Sequence, residues 1–237
     1  NDPDKMRRYV HIGTGNYNAN TARLYEDIGF FTCEEDIGSD ATELFNFLTG
    51  YAKEPEYKVL LVAPRQLRNR IVALIDKEAT FGEAGRITFK VNSISDPAVI
   101  EALYRASSAG VKVNLIVRGI CCIRAGVEGM SENIVVRSIL GRYLEHSRIY
   151  RFEHGLDDDE PLHLIGSADM MGRNLDGRVE VLAPLTHPKH RMWLDTVFGF
   201  LLDNESTHFA LNSDNTWTRN GTFSDSGDPQ KKLHEWV

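Results

Sequence analysis

The sequence predicts an α/β fold in which a mixed β-sheet is sandwiched by helices on both faces. Two observations indicate this fold. From residue 57 to residue 202, short apolar segments typical of buried strands alternate with segments whose apolar residues recur at helical spacing. The intervening helices are long enough to cross between strands and to cover both faces of the sheet. The chain has 237 residues, 42% of them hydrophobic, which is enough to bury a substantial core.

The N-terminal part of the chain predicts one strand, one turn and one helix. Residues 9–12 (Tyr-Val-His-Ile) are typical of a strand, and the turn Gly13-Thr14-Gly15-Asn16 follows it. Residues 41–51 carry apolar side chains at helical spacing, and Asp40 is placed to cap that helix. Residues 53–56 are polar and contain a proline, which predicts a domain boundary near residue 53.

The rest of the chain supplies the main sheet and its helices. Pro64 stops the first strand after the boundary, Pro97 suits the first turn of a helix, and Gly110 ends that helix. After Asn204 the chain is polar, so we expect residues 206–237 to form a loosely ordered tail. Strands are predicted at residues 57–63, 86–91, 111–117, 134–139, 148–152, 162–165 and 179–183, and helices at residues 67–79, 97–107 and 190–202.

Composition argues against several classes of protein. No apolar run approaches the ~20 residues that span a bilayer, and residues 1–5 lack the character of a signal peptide. Three cysteines, two of them adjacent, form neither a disulfide framework nor a zinc-binding spacing. These features predict a cytoplasmic protein with reduced thiols and without a membrane span.

The net charge of −7 does not attract polyanions in general, so specific nucleic-acid binding is not expected. A phosphate-rich ligand would need local positive charge instead. Any single arginine can be an ordinary solvated side chain, but arginines concentrate in one stretch of this sequence: Arg118, Arg124, Arg137, Arg142, Arg148, Arg151, Arg173 and Arg178.

Two distant segments share one pattern. Gly13-Thr14-Gly15-Asn16 and Gly166-Ser167-Ala168-Asp169 both read glycine, hydroxyl residue, small residue, then Asn or Asp. Each follows a predicted strand, and a carboxylate lies 14 residues after each first glycine, at Asp27 and at Glu180. The match predicts two structurally equivalent halves.

The second half has a further element, the sequence His146-Ser147-Arg148 at the start of a strand. Residues i and i+2 of a strand face the same way, so His146 and Arg148 are expected to project together. His146 lies 20 residues before Gly166. The same spacing before Gly13 falls ahead of residue 1, so we expect the histidine of the first half to precede this sequence.

The order of these residues resembles the phospholipase D superfamily. The shared arrangement is a histidine, a cation two residues later, a Gly-Ser turn about twenty residues further on, and then an acid. In that superfamily two such half-sites meet in one phosphoryl-transfer centre. Within it, the chain resembles the polyphosphate kinases over residues 8–185. The blocks that carry this resemblance are YVHIGTGNYN (9–18), TARLYED (21–27), VRGIC (117–121), SENI (131–134), GRYLEHSR (141–148) and GSADMMGRNLD (166–176).

The resemblance implies a phospholipase D-like fold and the last third of a four-domain enzyme. Residues 1–53 would be the end of the first catalytic domain, residues 54–205 the complete second one, and residues 206–237 the polar tail. The family moves the terminal phosphate of ATP reversibly onto inorganic polyphosphate through a phosphohistidine. That histidine would lie upstream of Tyr9, so the fragment alone is expected to be inactive.

The resemblance also implies the partners of the enzyme. These are ATP or ADP and inorganic polyphosphate, with Mg²⁺ that travels with the ATP phosphates and has its protein ligands upstream of this sequence. The full-length enzyme is expected to be a homo-oligomer in the cytoplasm. Any association with a membrane is expected to come from the full-length enzyme.

His146 is the leading candidate for a catalytic residue. Its imidazole titrates near neutrality, and the family assigns ATP contact and general-acid duty to this position. A structural histidine is the competing interpretation. Arg148 stands where most of the superfamily has lysine, and its guanidinium can bind two phosphate oxygens at once, although a surface ion pair is also possible.

Further candidates rest on position and on resemblance together. Arg118 follows a predicted strand at the sheet edge where α/β folds bind ligands, and the family match assigns it to ATP phosphate. Tyr25 matches a nucleotide-contacting tyrosine, although a tyrosine in an apolar stretch also suits a core. His11 matches a histidine that the family needs for activity, and its expected role is support of the missing nucleophile.

Four polar residues are expected to support the site. Asp27 and Glu180 would each hold one ring nitrogen of a histidine so that the other faces the phosphate. Asn16 would contact phosphate or maintain the turn, whereas Asp169 departs from the usual asparagine and is expected to be structural. No metal site is predicted, and the acidic run at residues 157–160 is expected to be a solvated hairpin loop.

Two other functions fit parts of the pattern. A phosphodiesterase or nuclease of the phospholipase D type could pair two copies of His146 in a dimer, since this sequence has one His-x-Arg. A non-enzymatic module could bind nucleotide or polyphosphate in a local arginine cleft.

Overall fold

The computed structural model of the chain describes residues 7–51, 53, 55–155, 160–222 and 225–237. Its strands are β1 (Val10–Gly13), β2 (Tyr25–Glu26), β3 (Gly29–Thr32), β4 (Leu61–Val62), β5 (Arg86–Val91), β6 (Lys112–Val117), β7 (Ile134–Ser138), β8 (Leu144–Glu145), β9 (Arg148–Phe152), β10 (Leu162–Gly166), β11 (Val181–Pro184), β12 (His208–Leu211) and β13 (Trp217–Asn220). Its α-helices are α1 (Glu35–Leu48), α2 (Leu67–Ala79), α3 (Pro97–Ser108), α4 (Gly172–Gly177), α5 (Pro188–Leu202) and α6 (Pro229–Trp236).

Nine strands of the described chain form one mixed sheet in the order β13-β12-β7-β6-β5-β9-β10-β11-β4. The pairs β5–β6 and β6–β7 are parallel, and the other pairs are antiparallel. Two small sheets accompany it: β1 pairs antiparallel with β3, and β2 pairs parallel with β8. The pair β2–β8 joins the N-terminal segment to the rest of the chain.

Helices cover both faces of the large sheet, as predicted. Along β10, Leu164 belongs to the core that also contains α2 and α3, whereas the next residue, Ile165, belongs to the core that contains α1 and α5. The same alternation holds in β11, where Leu182 and Ala183 face opposite cores. Successive strand residues point to opposite sides, so the two cores are the two faces of one sheet.

Helix α2 shows why the periodic segments fold as predicted. Leu67, Ile71 and Ile75 recur every four residues and are fully buried against the sheet. Each such side chain stabilises the fold by about 1.5–3 kcal/mol relative to an exposed one. The bounds of this helix and of strands β5 and β9 coincide with the predicted ones.

The predicted role of Asp40 as a helix cap is wrong. Helix α1 begins at Glu35, because Ile37 adds a buried position one turn before Ala41. Asp40 therefore lies inside the helix, buried, and its carboxylate accepts the backbone N–H groups of Lys58, Val59 and Leu60 at 2.8–3.0 Å. These three amides bind a side chain instead of a neighbouring strand, so the predicted strand at residues 57–63 shortens to β4.

The expectation of a loosely ordered tail at residues 206–237 is also wrong. Strands β12 and β13 extend the large sheet beyond β7, and Phe209 pairs with Ser138. Helix α6 then begins at Pro229, and the Asp228 side chain accepts the N–H groups of the first turn. Helix α5 is therefore not the last helix. Residues 157–159 of the acidic run lie outside the described residues.

Candidate active site

The two Gly-rich turns make the same hydrogen bonds. Thr14 N–H donates to Ile28 O at 2.9 Å, and Ile28 N–H donates to Thr14 Oγ1 at 2.9 Å. In the second turn, Ser167 N–H donates to Val181 O at 3.0 Å, and Val181 N–H donates to Ser167 Oγ at 3.2 Å. In each half, the hydroxyl residue therefore forms two hydrogen bonds with the residue that directly follows the acid.

The strands and helices around the turns follow the same equivalence. Gly13 of β1 pairs with Gly29 of β3, and Gly166 of β10 pairs with Leu182 of β11, in both cases 16 residues later. Helix α1 follows β3 as α5 follows β11, and both helices pack into the same core. The internal repeat predicted from the two turns, their preceding strands and the acids that follow is therefore a repeat of strand, turn, strand and helix.

His146 of the second half is held by the acid of the first half. Its Nδ1 lies 2.9 Å from Asp27 Oδ1 and 3.0 Å from Asp27 Oδ2. An ionised carboxylate only accepts hydrogen bonds, so Nδ1 carries the proton that faces Asp27, and Nε2 is directed away from that carboxylate. Thr14 Oγ1 donates to Asp27 at 2.9 Å, and a Cβ on Gly15 would overlap the carboxylate. The first turn thus fixes Asp27.

Tyr25 lies in the same site. Its ring stacks on the imidazole of His146 with centroids 4.4 Å apart and an angle of 22° between the planes. The parallel pairing of β2 with β8 brings them together, and His146 N–H donates to Glu26 O at 3.2 Å. A contact between Tyr25 and a nucleotide remains a prediction.

Arg148 is buried beside His146. Its Nη1 lies 3.1 Å from Nε2 and 3.2 Å from Nδ1 of the imidazole, and it donates to Thr14 O at 2.8 Å. Its Nη2 donates to Asp169 Oδ2 at 3.0 Å, while its Nε has no hydrogen-bond partner among the described residues. Arg148 therefore does not make a surface ion pair, and it links the two turns.

Asp169 and Arg118 connect the site to the ends of strands β5 and β6. Asp169 Oδ1 accepts the N–H groups of Asn92 at 2.7 Å and Ser93 at 3.2 Å. Arg118 Nε donates to Asn92 Oδ1 at 3.0 Å, and Asn92 Nδ2 donates to His146 O at 3.4 Å. Two backbone N–H groups and Arg148 thus bind both oxygens of the Asp169 carboxylate, and its structural role stays a prediction.

His11 and Asn16 line a cavity of about 180 Å³ that Asp27 also borders. His11 Nδ1 lies 2.6 Å from the hydroxyl of Tyr17, and both side chains are exposed. Asn16 Oδ1 accepts the N–H of Asn18 at 2.8 Å. Because Asp27 borders this cavity and holds His146, the predicted residues of the first half adjoin the site of the second.

Family comparisons agree with this organisation. Residues 60–230 match the family model described as polyphosphate kinase C-terminal domain 2. The chain belongs to the polyphosphate kinase family. Residues 1–54 match the model described as polyphosphate kinase C-terminal domain 1.

Individual polyphosphate kinases are similar over nearly the whole chain. The polyphosphate kinase of Synechocystis sp. is 51% identical over 220 residues, which are 92% of this chain and 30% of that protein. That of Streptomyces coelicolor is 48% identical over 237 residues, 99% of this chain and 31% of that protein. The chain thus spans about 30% of the length of the curated relatives it matches.

A solved structure of a polyphosphate kinase has the same fold. The crystal structure of the enzyme from Porphyromonas gingivalis superposes with a TM-score of 0.87 and 33% sequence identity. The match covers 97% of this chain and 36% of that one. The predicted α/β fold, with a mixed sheet between helices, is confirmed.

Glu180 is not brought to His146. It is buried, and its Oε1 accepts Asn174 Nδ2 at 2.9 Å and lies 3.9 Å from Arg178 Nη1. No hydrogen bond between Glu180 and a histidine occurs among the described residues. Asp27 has taken the place beside His146 that a pairing within one half would give to Glu180.

Sequence reasoning missed Asn92, Lys90 and Glu26, all of which contact site residues or their neighbours. Asn92 and Lys90 stand at the end of β5, the sheet edge where Arg118 was predicted to bind ligand. A lysine inside an apolar strand was a usable signal, because lysine is almost never buried without partners. Glu26 carried no signal of its own.

The structure also bears on metals and membranes. Among the described residues, no three or more His, Cys, Asp or Glu side chains are arranged to hold a metal ion. Within the same residues, no helix combines the length and the apolar character needed to span a bilayer.

Proposed function

We propose that this chain forms the C-terminal catalytic part of an enzyme that transfers the terminal phosphate of ATP reversibly to inorganic polyphosphate. The transfer passes through a phosphohistidine that belongs to a part of the enzyme outside this sequence. The chain is inactive alone. Membership of the polyphosphate kinase family supports the reaction class.

The hydrogen bond between Asp27 and His146 carries the proposal. It joins a carboxylate of one repeat to the imidazole of the other, so the two repeats build one site rather than two. A single site with residues from both repeats suits one phosphate that is attacked from one side and released on the other.

His146 acts on the oxygen that leaves the phosphate. As the bond from phosphorus to the attacking histidine nitrogen forms, the bond to the bridging oxygen of ADP breaks. A proton on His146 Nε2 passes to that oxygen, and the carboxylate of Asp27 stabilises the ring cation before transfer. In the reverse direction, Nε2 takes the proton back from ADP.

Two arginines neutralise phosphate charge. Arg148 places its guanidinium against the imidazole, so its positive charge lies beside the phosphate on which His146 acts. Arg118 directly follows β6 and donates a hydrogen bond to Asn92, which directly follows β5. Fixed cations stabilise the negative charge that spreads over the equatorial oxygens in the transition state.

The repeat also suggests how the nucleophile is held. Asp27 occupies the position in the first half that Glu180 occupies in the second. Since Asp27 pairs with the histidine of the opposite half, Glu180 is expected to pair with the histidine of the first half. His11 and Asn16, in the cavity that Asp27 borders, then lie on the side of that nucleophile.

The described residues contain no group of three or more His, Cys, Asp or Glu side chains that fits a metal ion. Mg²⁺ bound to ATP would neutralise phosphate charge when it enters with the nucleotide.

The structure favours the kinase over a dimeric phosphodiesterase. A dimeric enzyme would need a second copy of His146 to face the first. Here Tyr25 and Asp27 of the same chain contact His146. Repeat residues of the first half thus stand where the second chain would have to enter.

Phosphorylation from ATP tests the proposal. The full-length protein and this chain are each incubated with Mg²⁺ and ATP labelled on the γ-phosphate. We expect acid-labile label on the full-length protein and none on this chain. Stable labelling of the chain, or no label on the full-length protein, would refute the proposed function.

A further inference from the structure

Lys90 is a buried cation beneath the strand pair β2–β8. Its ammonium lies 2.8 Å from Glu145 Oε2 and 3.3 Å from Glu26 Oε2. It also donates to Ser147 Oγ at 2.6 Å and to Ser147 O at 3.3 Å. Lys90 is 3% exposed and Glu145 is 5% exposed. One ammonium therefore holds two carboxylates that come from the two different halves.

The charges of this cluster support one another. Burial by itself lowers the pKa of Lys90, but Glu145 and Glu26 outweigh it, and the net shift is upward. Burial raises the pKa of Glu145, while the charge of Lys90 and the hydrogen bonds to this carboxyl together lower it by more. The lysine and this carboxyl therefore both stay charged near neutral pH. Removing the ammonium would leave two carboxylates close together without a cation.

Each partner of Lys90 is the chain neighbour of a site residue. Glu26 lies between Tyr25 and Asp27, and Glu145 and Ser147 flank His146. Successive side chains of a strand point to opposite faces. The face that carries Tyr25, Asp27 and His146 is thus the reverse side of the face that Lys90 holds.

The C-terminal helix braces the same strands. Gln230 of α6 donates through Nε2 to Glu145 Oε1 at 2.8 Å and to Tyr143 O at 2.7 Å. Its Oε1 accepts Tyr143 N–H at 2.8 Å. Gly141 has no room for a Cβ beside this amide. Gln230 is buried, so these bonds fix β8 against α6.

We propose that Lys90 and Gln230 are positioning residues, which hold Tyr25 and Asp27 of one half in register with His146 of the other. The C-terminal helix is then required for catalysis through the hydrogen bonds of Gln230 to β8. This proposal rests on the proposed function, because the register matters only if both halves act on one phosphate.

The central test is Lys90→Met in the full-length protein, assayed for ATP formation from ADP and polyphosphate. We expect kcat to fall by about tenfold or more, since misplacing a catalytic group by about 1 Å costs up to about 100-fold. The loss should be larger at about pH 8 than at about pH 6. Without the ammonium a carboxyl pKa rises, and protonation at the lower pH relieves the repulsion.

A second variant separates charge from shape. Adding Glu26→Gln and Glu145→Gln to Lys90→Met removes the repulsion and should restore most of the lost kcat at about pH 8. His234 of α6 is a further ionisable side chain at the cavity of about 510 Å³ that Glu26 and Glu145 line. Because the pH dependence of Lys90→Met is attributed to the two carboxyls, adding His234→Gln should leave it unchanged.

The role of Gln230 is tested by a separate variant, which leaves the ammonium of Lys90 in place. Gln230→Glu has nearly the same shape but sets a carboxylate beside Glu145. We expect a lower kcat that recovers as the pH falls. This variant carries the test if Lys90→Met does not fold.

A matched control corrects for stability. Glu78 is also a buried carboxylate, but it binds His154 and the N–H of Arg86 at the far end of β5. Glu78→Gln should lower the unfolding temperature and leave kcat near the wild-type value.

Two results would overturn the proposal. One is an unchanged kcat in Lys90→Met and Gln230→Glu while the wild-type enzyme is active. The other is a loss in Lys90→Met that is equal at both pH values and is not restored by the two glutamines. Absence of ATP formation by the wild-type enzyme would instead refute the proposed function.

Discussion

The carboxylate of Asp27 lies 2.9 Å from Nδ1 of His146, although 119 residues separate them in the chain. Each repeat thus provides one partner of the pair. The acid of the first half thus binds the histidine of the second half. A pairing within one half would instead join Glu180 to His146. The site therefore exists only where both repeats are folded together.

Asp27→Asn in the full-length protein should reduce the rate of phosphate transfer by on the order of 100-fold or more, because the amide cannot stabilise the ring cation as a carboxylate does. The structural effect can be measured on this chain alone. The Nδ1–H proton of His146, which the carboxylate protects from exchange, should be visible by NMR in the wild type and weakened or lost in the variant. An unchanged proton resonance would contradict the geometry.

Gly15→Ala should act through Asp27. Its Cβ would overlap the Asp27 carboxylate, so that carboxylate must move away from His146. We expect a loss of activity similar to that of Asp27→Ala, and little further loss when both substitutions are combined. Additive losses in this double-mutant cycle would show that Gly15 acts independently of Asp27.

Asp40→Ala should destabilise the fold, because three backbone N–H groups lose their acceptor. An unsatisfied buried group costs about 1–3 kcal/mol, so we expect the free energy of unfolding in urea to fall by about 2–4 kcal/mol. The control is Asp36→Ala on the same helix, whose ion pair with Lys58 is exposed. The control should leave the free energy of unfolding near the wild-type value, and equal effects would contradict this interpretation.

Asp195 should make stability depend on acid pH. Burial raises the pKa of its carboxyl, but His163 and Arg151 together lower it by more, and the net shift is downward. A lowered pKa means that the ionised carboxylate stabilises the fold above the unfolded value of about 3.9 and loses this effect as the pH falls through the folded value.

The measurement for Asp195 compares two variants in urea at about pH 6 and about pH 3. Asp195→Asn should lose less stability on acidification than the wild type. Glu43→Gln, an exposed substitution on α1, should behave like the wild type. Equal acid sensitivity of Asp195→Asn and the wild type would refute the assignment.

Periodicity predicted the core elements because burial imposes it. Leu67, Ile71 and Ile75 mark α2 at the spacing of a helix turn, and the structure gives that helix its predicted bounds. The prediction of a loosely ordered tail at residues 206–237 was wrong because burial imposes little periodicity there. Strand β13 is the edge strand of the large sheet and all four of its residues are exposed, so no alternation of buried residues marks it in the sequence. The sequence does carry a helix-start signal at Asp228-Pro229, where α6 begins.

The candidate site was predictable where a repeat marked it. The turns at Gly13 and Gly166 came from their shared residue pattern, and His146 and Arg148 came from their position before the second turn and from the family resemblance. The crossed pairing of Asp27 with His146 was not predictable, because the repeat equates Asp27 with Glu180 but does not say which histidine each contacts. Asn92 was missed for a related reason, since its partners Asp169, Arg118 and His146 lie far from it in the sequence.

The most direct test of one shared site is the rate of ATP formation from ADP and polyphosphate by the full-length protein with His146→Ala. Loss of the group that exchanges a proton with the nucleotide should lower this rate by at least about 100-fold, while the variant stays folded. A His146→Ala enzyme that forms ATP at close to the wild-type rate would contradict the account.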